Sequence, residues 1–308
     1  MKAVKIFCPG TIANVSCGFD VLGLCLDSVG DEMIIRKSEI PGIHITKIVG
    51  ADLPLATQKN VAGVAALAML KEITYEGGFE IEIYKKIKAG SGIGSSAASA
   101  AGAVFGINEL LGNPFTNAKL VEFAMQGEAL ASGAPHADNV APALMGGATL
   151  VRSYTPLDVI GLPTPSELYA TVVHPQIEVK TADSRAILKH NVTLKKAIQQ
   201  WGNVGGFVSG LFLNDYELIS RSLEDVIVEP IRSVLIPYFK AVKTASKDAG
   251  ALGSGISGSG PSIFALSKGA ETANEVADAI RKIYEHTEIP FDIHTSKVNP
   301  TGCKILPL

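Results

Sequence analysis

The chain has 308 residues, 47% of them hydrophobic and 19% charged, with a formal net charge of -3. This composition is typical of a packed globular protein with one large or two smaller domains, and it excludes an intrinsically disordered chain. A weakly acidic chain without a basic run lacks the electrostatic footprint of a protein that binds nucleic acid or a charged membrane surface.

Hydrophobic periodicity and turn residues predict strands and helices in a mixed order. In the first half, strands are predicted at 4–8, 33–36, 43–49, 79–87 and 148–152, and helices at 61–71, 97–111 and 116–132. In the second half, strands are predicted at 168–174, 262–267 and 291–297, and helices at 184–189, 194–213, 231–249 and 271–284. Prolines between residues 156 and 165 predict a loop and a domain boundary near residue 160. The irregular order favours an α+β fold over a doubly wound sheet.

The cellular location is predicted from the absence of targeting segments. The short apolar run before Pro9 does not resemble a signal peptide, and no apolar stretch approaches the length of a membrane span. We therefore expect a cytoplasmic protein with reduced thiols and no membrane partner. The cysteines form no C-x-x-C pair, so we interpret them as small buried apolar residues rather than zinc ligands.

A glycine- and serine-rich loop, GSGIGSS at residues 90–96, joins a predicted strand to a predicted helix. Glycine lets the backbone approach a ligand closely, and the helix that follows offers free N–H groups and the positive end of its dipole. The hydroxyls of Ser95 and Ser96 can contact phosphate oxygens or a magnesium ion. We interpret the loop as a phosphate-binding site, and the alternative is a tight turn with a serine N-cap.

Two other nucleotide-binding motifs fail on the sequence. A Walker P-loop requires a lysine that residues 90–96 do not contain. Gly92, Gly94 and Ala97 satisfy a G-x-G-x-x-A pattern, but residues 113–117 begin another helix where a dinucleotide-binding fold requires a second strand. The G-x-G-x-x-G pattern at 253–258 lies between a predicted helix and a predicted strand, which reverses the required order. An NAD-dependent oxidoreductase is therefore disfavoured.

Three motifs in one order carry a family resemblance: PGTIANVSCGFD at 9–20, GSGIGSSAA at 90–98 and GSGISGSGPS at 253–262. Each is weak alone, but together they resemble the GHMP kinases, the superfamily of galactokinase, homoserine kinase, mevalonate kinase and phosphomevalonate kinase. The resemblance covers essentially the whole chain. It implies an α+β fold with two domains. The ATP-binding domain at 1–160 is a ribosomal-protein-S5-domain-2-like α/β layer, and the domain at 161–308 is a ferredoxin-like α+β sandwich.

Within the superfamily, the segments GAPHADNVAP at 133–142 and TADSR at 181–185 are most similar to those of the homoserine kinases. This resemblance implies ATP-dependent phosphorylation of the side-chain hydroxyl of L-homoserine in threonine biosynthesis, with Mg2+ as cofactor, and a homodimer. The alternatives are another GHMP kinase of the mevalonate or shikimate type, and a non-catalytic ATP- or metabolite-binding protein on the same fold. The chain departs from the family at Lys88 and Ala89, where a proline usually precedes the loop.

The resemblance also implies which residues contact ATP and the metal ion. Ser96 and Glu128 would hold Mg2+, although a lone helical glutamate is more commonly a solvated surface residue. Asn60 resembles a position that contacts adenine, and a plain N-cap is its alternative. The remaining ATP-binding candidates are Lys88, Ala89, Gly90, Ser91, Gly92, Ile93, Gly94, Ser95, Ala97 and Ala98.

An acceptor with an amine, a carboxylate and a hydroxyl calls for complementary groups. Asp20 is the candidate for the amine, and Arg185 and Arg232 are the candidates for the carboxylate, because a guanidinium binds a carboxylate through two parallel hydrogen bonds. A surface salt bridge is the alternative role for each arginine. By resemblance, the other substrate-binding candidates are Asn14, His136, Asp138, Asn139, Thr181 and Gly258.

Two mechanisms remain open for the catalytic candidates Asn14, Asp138 and Asn139. Asp138 could accept the hydroxyl proton as a general base. Alternatively, Asn14 and Asn139 only orient the hydroxyl, and the transferred phosphate accepts the proton. The resemblance favours the second mechanism, because it implies an active site without a dedicated general base. Phosphoryl transfer in any case depends mainly on positioning and on charge stabilisation.

Overall fold

The structure is a computed structural model that describes residues 2–177, 179, 181–189 and 191–308, with the side chains of 181–183 left undescribed. The strands are β1 Ala3–Ala13, β2 Leu22–Ser38, β3 Gly42–Val49, β4 Gly78–Tyr84, β5 Ala148–Tyr154, β6 Leu157–Leu162, β7 Leu168–Pro175, β8 Gly253–Ile256, β9 Ile263–Lys268, β10 Phe291–Lys297 and β11 Lys304–Leu306. The helices are α1 Val61–Leu70, α2 Ser95–Leu111, α3 Asn117–Ser132, α4 Val140–Met145, α5 Thr181–Ala186, α6 Leu194–Leu213, α7 Tyr216–Ser222, α8 Glu229–Arg232, α9 Phe239–Asp248 and α10 Ala270–Tyr284. Both sheets are therefore combined with helices, which confirms the predicted α+β class.

The larger sheet has the strand order β11-β1-β2-β4-β3, and the β5–β6 hairpin pairs with the first part of the long strand β2. The pairs are antiparallel except for β3 and β4, which run parallel. Alternate side chains point to one face, so Val4, Ile35, Ile81 and Ile45 form a buried row across four strands. Helices α1 to α4 cover this sheet and each other, and the alanine-rich α2 packs directly against β1 and β2.

The smaller sheet has the order β10-β7-β9-β8, with every pair antiparallel. Helices α9 and α10 pack on it and bury a second apolar cluster that includes Val173, Val242, Ile280 and Tyr284. Strand β10 also contacts β2, so the two sheets are joined along this edge. Within the described part of the chain, none of the helices is both long enough and apolar enough to cross a membrane.

Two predicted elements, at 231–249 and 253–256, were wrong. The helix predicted over 231–249 is broken because Pro237 lies in its middle, and the chain forms α8, a short 3-10 turn and α9 instead. Residues 253–256, placed between a predicted helix and a predicted strand, themselves form the edge strand β8. The boundary predicted near residue 160 falls inside β6, and the final strand β11 returns to pair with β1. The division into domains at 1–160 and 161–308 therefore remains a prediction.

Candidate active site

A cavity of about 290 Å³ lies where the ends of several elements converge. It is bounded by the turn after β1, the loop before α2, the buried face of α3, the segment before α4, α5, α8 and the β8–β9 turn. These segments are distant in sequence, yet they bring together most of the predicted site residues. The predicted residues that line the cavity are Asn14, Asp20, Ala89, Gly90, Gly92, Gly94, Ser95, Ser96, Glu128, His136, Asp138, Asn139, Arg185, Arg232 and Gly258.

The glycine loop before α2 is held from two sides by hydrogen bonds to its backbone. The N–H of Thr11 donates to the carbonyl of Ile93 at 3.1 Å, and the hydroxyl of Ser257 donates to the carbonyl of Gly92 at 2.7 Å. Gly94 begins the helix at φ +68°, and a Cβ there would lie 2.1 Å from Thr11 Oγ1. Only glycine satisfies both conditions, so this backbone can approach a ligand at the positive end of α2.

A buried ion pair supports the loop from below. The ammonium of Lys85 contacts the carboxylate of Asp31 and donates to Ser95 O at 2.8 Å and to Ser99 Oγ at 3.0 Å. Both charged side chains are almost fully buried, and Lys85 also lines the cavity. The Lys85 ammonium, with its charge paired to Asp31, therefore fixes the first turn of α2 through Ser95 O and Ser99 Oγ. The sequence analysis missed this pair, although a lysine directly after a half-buried strand and before a glycine loop is a usable signal.

Ser96 and Glu128 meet across the cavity wall. The hydroxyl of Ser96, in the first turn of α2, donates to Glu128 Oε2 at 2.7 Å, and Glu128 projects from the buried face of α3. Burial raises the pKa of the Glu128 carboxyl to about 7, and the hydrogen bond from Ser96 opposes this rise. A hydroxyl and a carboxylate are oxygen donors of the kind that Mg2+ binds. Among the described residues, no cluster of three or more His, Cys, Asp and Glu could hold a metal ion. A magnesium ion here would therefore need phosphate oxygens as further ligands.

The opposite charges of Asp20 and Arg185 are paired. Two parallel hydrogen bonds of 3.0 and 2.8 Å join the Arg185 guanidinium to the Asp20 carboxylate. The guanidiniums of Arg185 and Arg232 both lie over the ring of Phe19, at 5.4 and 5.0 Å from its centroid. Arg232 is buried and donates to Ser184 O at 2.9 Å. Burial, together with the nearby Arg185 charge, lowers the pKa of Arg232 to about 10.

Asn14 is fixed by its own amide in a strained turn. Its Nδ2 donates to Gly258 O at 2.7 Å, and its Oδ1 accepts the N–H of Asp20 at 2.9 Å. Asn14, Val15 and Ser16 all have positive φ, at 71°, 41° and 60°. A β-branched residue such as valine rarely adopts this conformation, and such strain concentrates at functional sites. The turn therefore places Asn14 between the third glycine motif and Asp20.

Asp138 and its neighbours provide the remaining polar groups. Burial, together with the nearby carboxylates of Asp20 and Glu128, raises the pKa of Asp138 to about 7. Asn139 Oδ1 accepts the hydroxyl of Thr11 at 2.7 Å, which orients its amide. Burial lowers the pKa of His136, whose Nε2 is buried and has no hydrogen-bond partner among the described residues. Neutral imidazole is therefore its favoured form.

Some predicted residues lie away from the cavity. Ser91, Ile93, Ala97 and Ala98 are buried and do not line the cavity, and the last three pack in the apolar core. The ammonium of Lys88 donates a hydrogen bond to the side-chain oxygen of Gln176, and Lys88 does not line the cavity. Asn60 caps α1 through a 3.0 Å bond from the N–H of Ala62, and its amide donates to Pro54 O at 3.0 Å. The side chain of Thr181 lies outside the described residues.

Sequence reasoning also missed part of the cavity lining. Phe19 belongs to the motif at 9–20 and lies between the predicted substrate residues Asn14 and Asp20, so this position could have predicted its place in the cavity. Lys85 has the signal described above, and the others carry little local signal because they are small or apolar residues on predicted helices and loops. The lining residues that were missed are Phe19, Leu53, Val61, Lys85, Ser99, Ala131, Ser132 and Ser259.

Comparisons with known proteins agree with this architecture. Residues 60–147 match the family model of the GHMP kinases N terminal domain, and residues 194–286 match that of the GHMP kinases C terminal. A homoserine kinase of Chlorobium phaeobacteroides is 47% identical, with 99% of this chain and 100% of the relative covered. A homoserine kinase of Methanococcus vannielii is 40% identical, with 92% and 94% covered.

Solved structures show the same likeness. The crystal structure of homoserine kinase from Cytophaga hutchinsonii has a TM-score of 0.95 and 52% identity, and the match covers 99% of this chain and 98% of that one. The L. major mevalonate kinase, solved in complex with R-mevalonate, has a TM-score of 0.71 and 16% identity, with 96% of each chain covered. The second match shows a shared fold alone.

Proposed function

This chain belongs to the GHMP kinase family, and we propose that it transfers the terminal phosphoryl group of ATP to the side-chain hydroxyl of L-homoserine. The product is O-phospho-L-homoserine, and the reaction is a step of threonine biosynthesis in the cytoplasm. The observation that carries the proposal is one cavity lined by the glycine loop before α2, by Ser96 and Glu128, and by a group of charged residues, Asp20, Arg185 and Arg232. The name of the relatives at 47% and 40% identity supports this substrate.

The loop at residues 90–96 binds the phosphates of ATP in this proposal. The N–H groups at the start of α2 and the helix dipole provide positive charge at the loop, and Lys85, paired with Asp31, holds the first turn of α2 in place. Ser96 and Glu128 hold Mg2+, which neutralises charge on the phosphates when it is bound. A contact of Asn60 or Lys88 with the nucleotide requires the side chain to leave its present partners.

The arginine-rich end of the cavity suits a zwitterion. Asp20 and Arg185 neutralise each other in the structure, while Arg232 carries a further buried positive charge. The ammonium of an amino acid replaces Arg185 at Asp20, and its carboxylate joins Arg185 and Arg232. One ion pair is thus exchanged for two, with the ligand carboxylate shared between the two guanidiniums. A hydroxy acid without an ammonium group offers nothing to Asp20, so this end disfavours mevalonate.

The hydroxyl of the bound amino acid lies near Asn14, Asp138 and Asn139 in the proposal. The two asparagine side chains are held by hydrogen bonds, so they can orient the hydroxyl toward the phosphate without rearrangement. A carboxyl group whose pKa lies near neutrality is suited to accept a proton, and Asp138 meets this condition. The hydroxyl proton passes either to Asp138 or to the transferred phosphoryl group. Turnover of Asp138→Asn distinguishes the two routes, since loss of a general base lowers kcat by roughly 100- to 10,000-fold.

The test is ADP release by the purified protein with Mg-ATP and a panel of acceptors. The panel contains L-homoserine, mevalonate, galactose, shikimate and a sample without acceptor. We expect turnover with L-homoserine alone. Turnover with another alcohol would support kinase activity but contradict the assignment of the pocket to an amino acid. ATP binding without turnover would identify a non-catalytic binding protein. Asp20→Asn serves as the matched variant, because it keeps the shape of the pocket and loses the charge that pairs with the ammonium.

A further inference from the structure

A buried carboxylate, that of Asp225, lies directly behind the arginine-rich end of the cavity. Asp225 is 7% exposed and does not line the 290 Å³ cavity, but it lines a second, smaller cavity of about 10 Å³. The residues that line both cavities are Asn14, Phe19, Arg232 and Gly258. These four residues therefore form a wall that has the proposed substrate site on one side and Asp225 on the other.

Asp225 organises the segment that leads into α8. Its Oδ1 accepts the N–H of Ile227 at 2.8 Å and that of Val228 at 3.0 Å, and its Oδ2 accepts the N–H of Glu229 at 2.8 Å. Glu229 is the first residue of α8 and Arg232 is its last, so these hydrogen bonds fix the start of the single helical turn that carries the arginine. The charge of Asp225 also opposes the fall in the pKa of Arg232 that burial causes.

Gln200 of α6 joins the same carboxylate to the turn at residues 14–20. Its Nε2 donates to Asp225 Oδ1 at 3.1 Å and to Cys17 O at 2.7 Å, and its Oε1 accepts the N–H of Val226 at 3.0 Å. The amide of Gln200 thus uses its donor and its acceptor atoms within a side chain that is only 8% exposed. Because Cys17 lies in the middle of the turn, Gln200 links this strained turn to the start of α8.

We propose that Asp225 is a positioning residue, which together with Gln200 holds Arg232 in place to bind the carboxylate of the substrate. The inference rests on the proposed function, in which Arg232 receives that carboxylate and Asp20 receives the ammonium. Asp20 belongs to the turn and Arg232 to α8, so a rigid link between the two segments fixes the distance between the two binding groups. A site held in this way loses less conformational freedom when the substrate binds. Asp225 acts through Arg232, since it does not line the larger cavity.

The first test compares the two KM values of Asp225→Asn with those of the wild type in steady-state kinetics. Asparagine keeps the shape of the side chain, but its single oxygen cannot accept all of the hydrogen bonds that the carboxylate accepts. We expect the KM for L-homoserine to rise about 10-fold and the KM for ATP to change by less than about 2-fold. Asp215→Asn is the matched control, because Asp215 also accepts a backbone N–H at a helix start, that of Leu218 at 2.9 Å, and lines neither cavity. The control should leave both KM values unchanged.

A double-mutant cycle separates positioning from a general loss of stability. In an Arg232→Ala background, Asp225→Asn has no guanidinium left to misplace, so the KM for L-homoserine of the double variant should rise by much less than the product of the two single effects.

Circular dichroism checks that each variant is folded. If Asp225→Asn does not fold, Gln200→Met takes its place in the cycle, because it keeps the length of the side chain and loses the hydrogen bonds to Cys17 and Asp225; we expect it to raise the KM for L-homoserine at least about 3-fold. Unchanged KM values in the folded variant, or effects in the cycle that multiply independently, overturn the inference while wild-type turnover stands. Absence of turnover by the wild type overturns the proposed function and, with it, this inference.

Discussion

Replacement of Asp138 by asparagine should stabilise the protein at alkaline pH. Asp138 is only 4% exposed, and burial with its acidic neighbours raises its pKa from the ordinary 3.8 to about 7. A difference of about 3 pH units, at about 1.4 kcal/mol per unit, corresponds to a cost of roughly 4 kcal/mol for the ionised folded form. Asparagine has nearly the same shape and carries no charge, so it removes this cost.

The raised pKa of Asp138 determines how the stability difference between the wild type and Asp138→Asn changes with pH. Below pH 4 the carboxyl group is protonated in both the folded and the unfolded chain, so ionisation of Asp138 makes no difference between the two proteins. Between pH 4 and 7 the unfolded chain loses this proton while the folded chain keeps it, so the wild-type stability falls relative to the variant. Above pH 7 the difference reaches its full value.

The assay is urea denaturation of both proteins at pH 4.5, 6 and 8, followed by circular dichroism, with the free energy of unfolding extrapolated to water. Glu122→Gln, an exposed position on α3, controls for the loss of one negative charge. An advantage of Asp138→Asn that is equal at all three pH values, or a variant that is less stable at pH 8, would refute the reasoning.

Three further predictions concern the site. Arg185→Ala should raise the KM for L-homoserine on the order of 100-fold and leave the KM for ATP nearly unchanged, because the guanidinium binds the substrate carboxylate in the proposal. The loss of stability should be small, because the ion pair of Arg185 with Asp20 is partly exposed. Equal effects on both KM values in steady-state kinetics would contradict the proposed substrate contact. Glu128→Gln should raise the Mg2+ concentration needed for half-maximal activity by about 10-fold or more, and an unchanged Mg2+ titration would remove Glu128 from the metal site. Gly94→Ala should lower the free energy of unfolding by about 2 kcal/mol and weaken ATP binding, because its φ is +68° and its Cβ would lie 2.1 Å from Thr11 Oγ1; nucleotide titration and denaturation measure both effects.

The phosphate loop could be predicted from the sequence because its signal is local. A strand, a glycine loop and a helix follow one another around residues 78–111, and the structure contains β4, the loop and α2 in this order. The GHMP kinase family could also be predicted, since three motifs in one order are specific even when each is weak. The α+β class followed from the mixed order of the elements.

Contacts between distant parts of the chain could not be predicted in the same way. Asp20 and Arg185 are 165 residues apart, and they were assigned to two different ligand groups, the amine and the carboxylate, yet in the structure they bind each other. The buried pair of Lys85 and Asp31 depends on the pairing of β2 with β4, which no local pattern encodes. Pro237 is a local signal that ends a helix. The apolar periodicity on both sides of it nevertheless led to the prediction of one continuous helix at 231–249.

The most direct test of the proposed function is the identity of the product. The purified protein is incubated with Mg-ATP and L-homoserine, and the mixture is followed by 31P NMR. We predict a phosphomonoester resonance that matches O-phospho-L-homoserine and grows in equal amount with ADP. The appearance of ADP with inorganic phosphate and no phosphomonoester, or no change in ATP while L-homoserine binds, would contradict the assignment of this cavity as the site of phosphoryl transfer to an amino-acid hydroxyl.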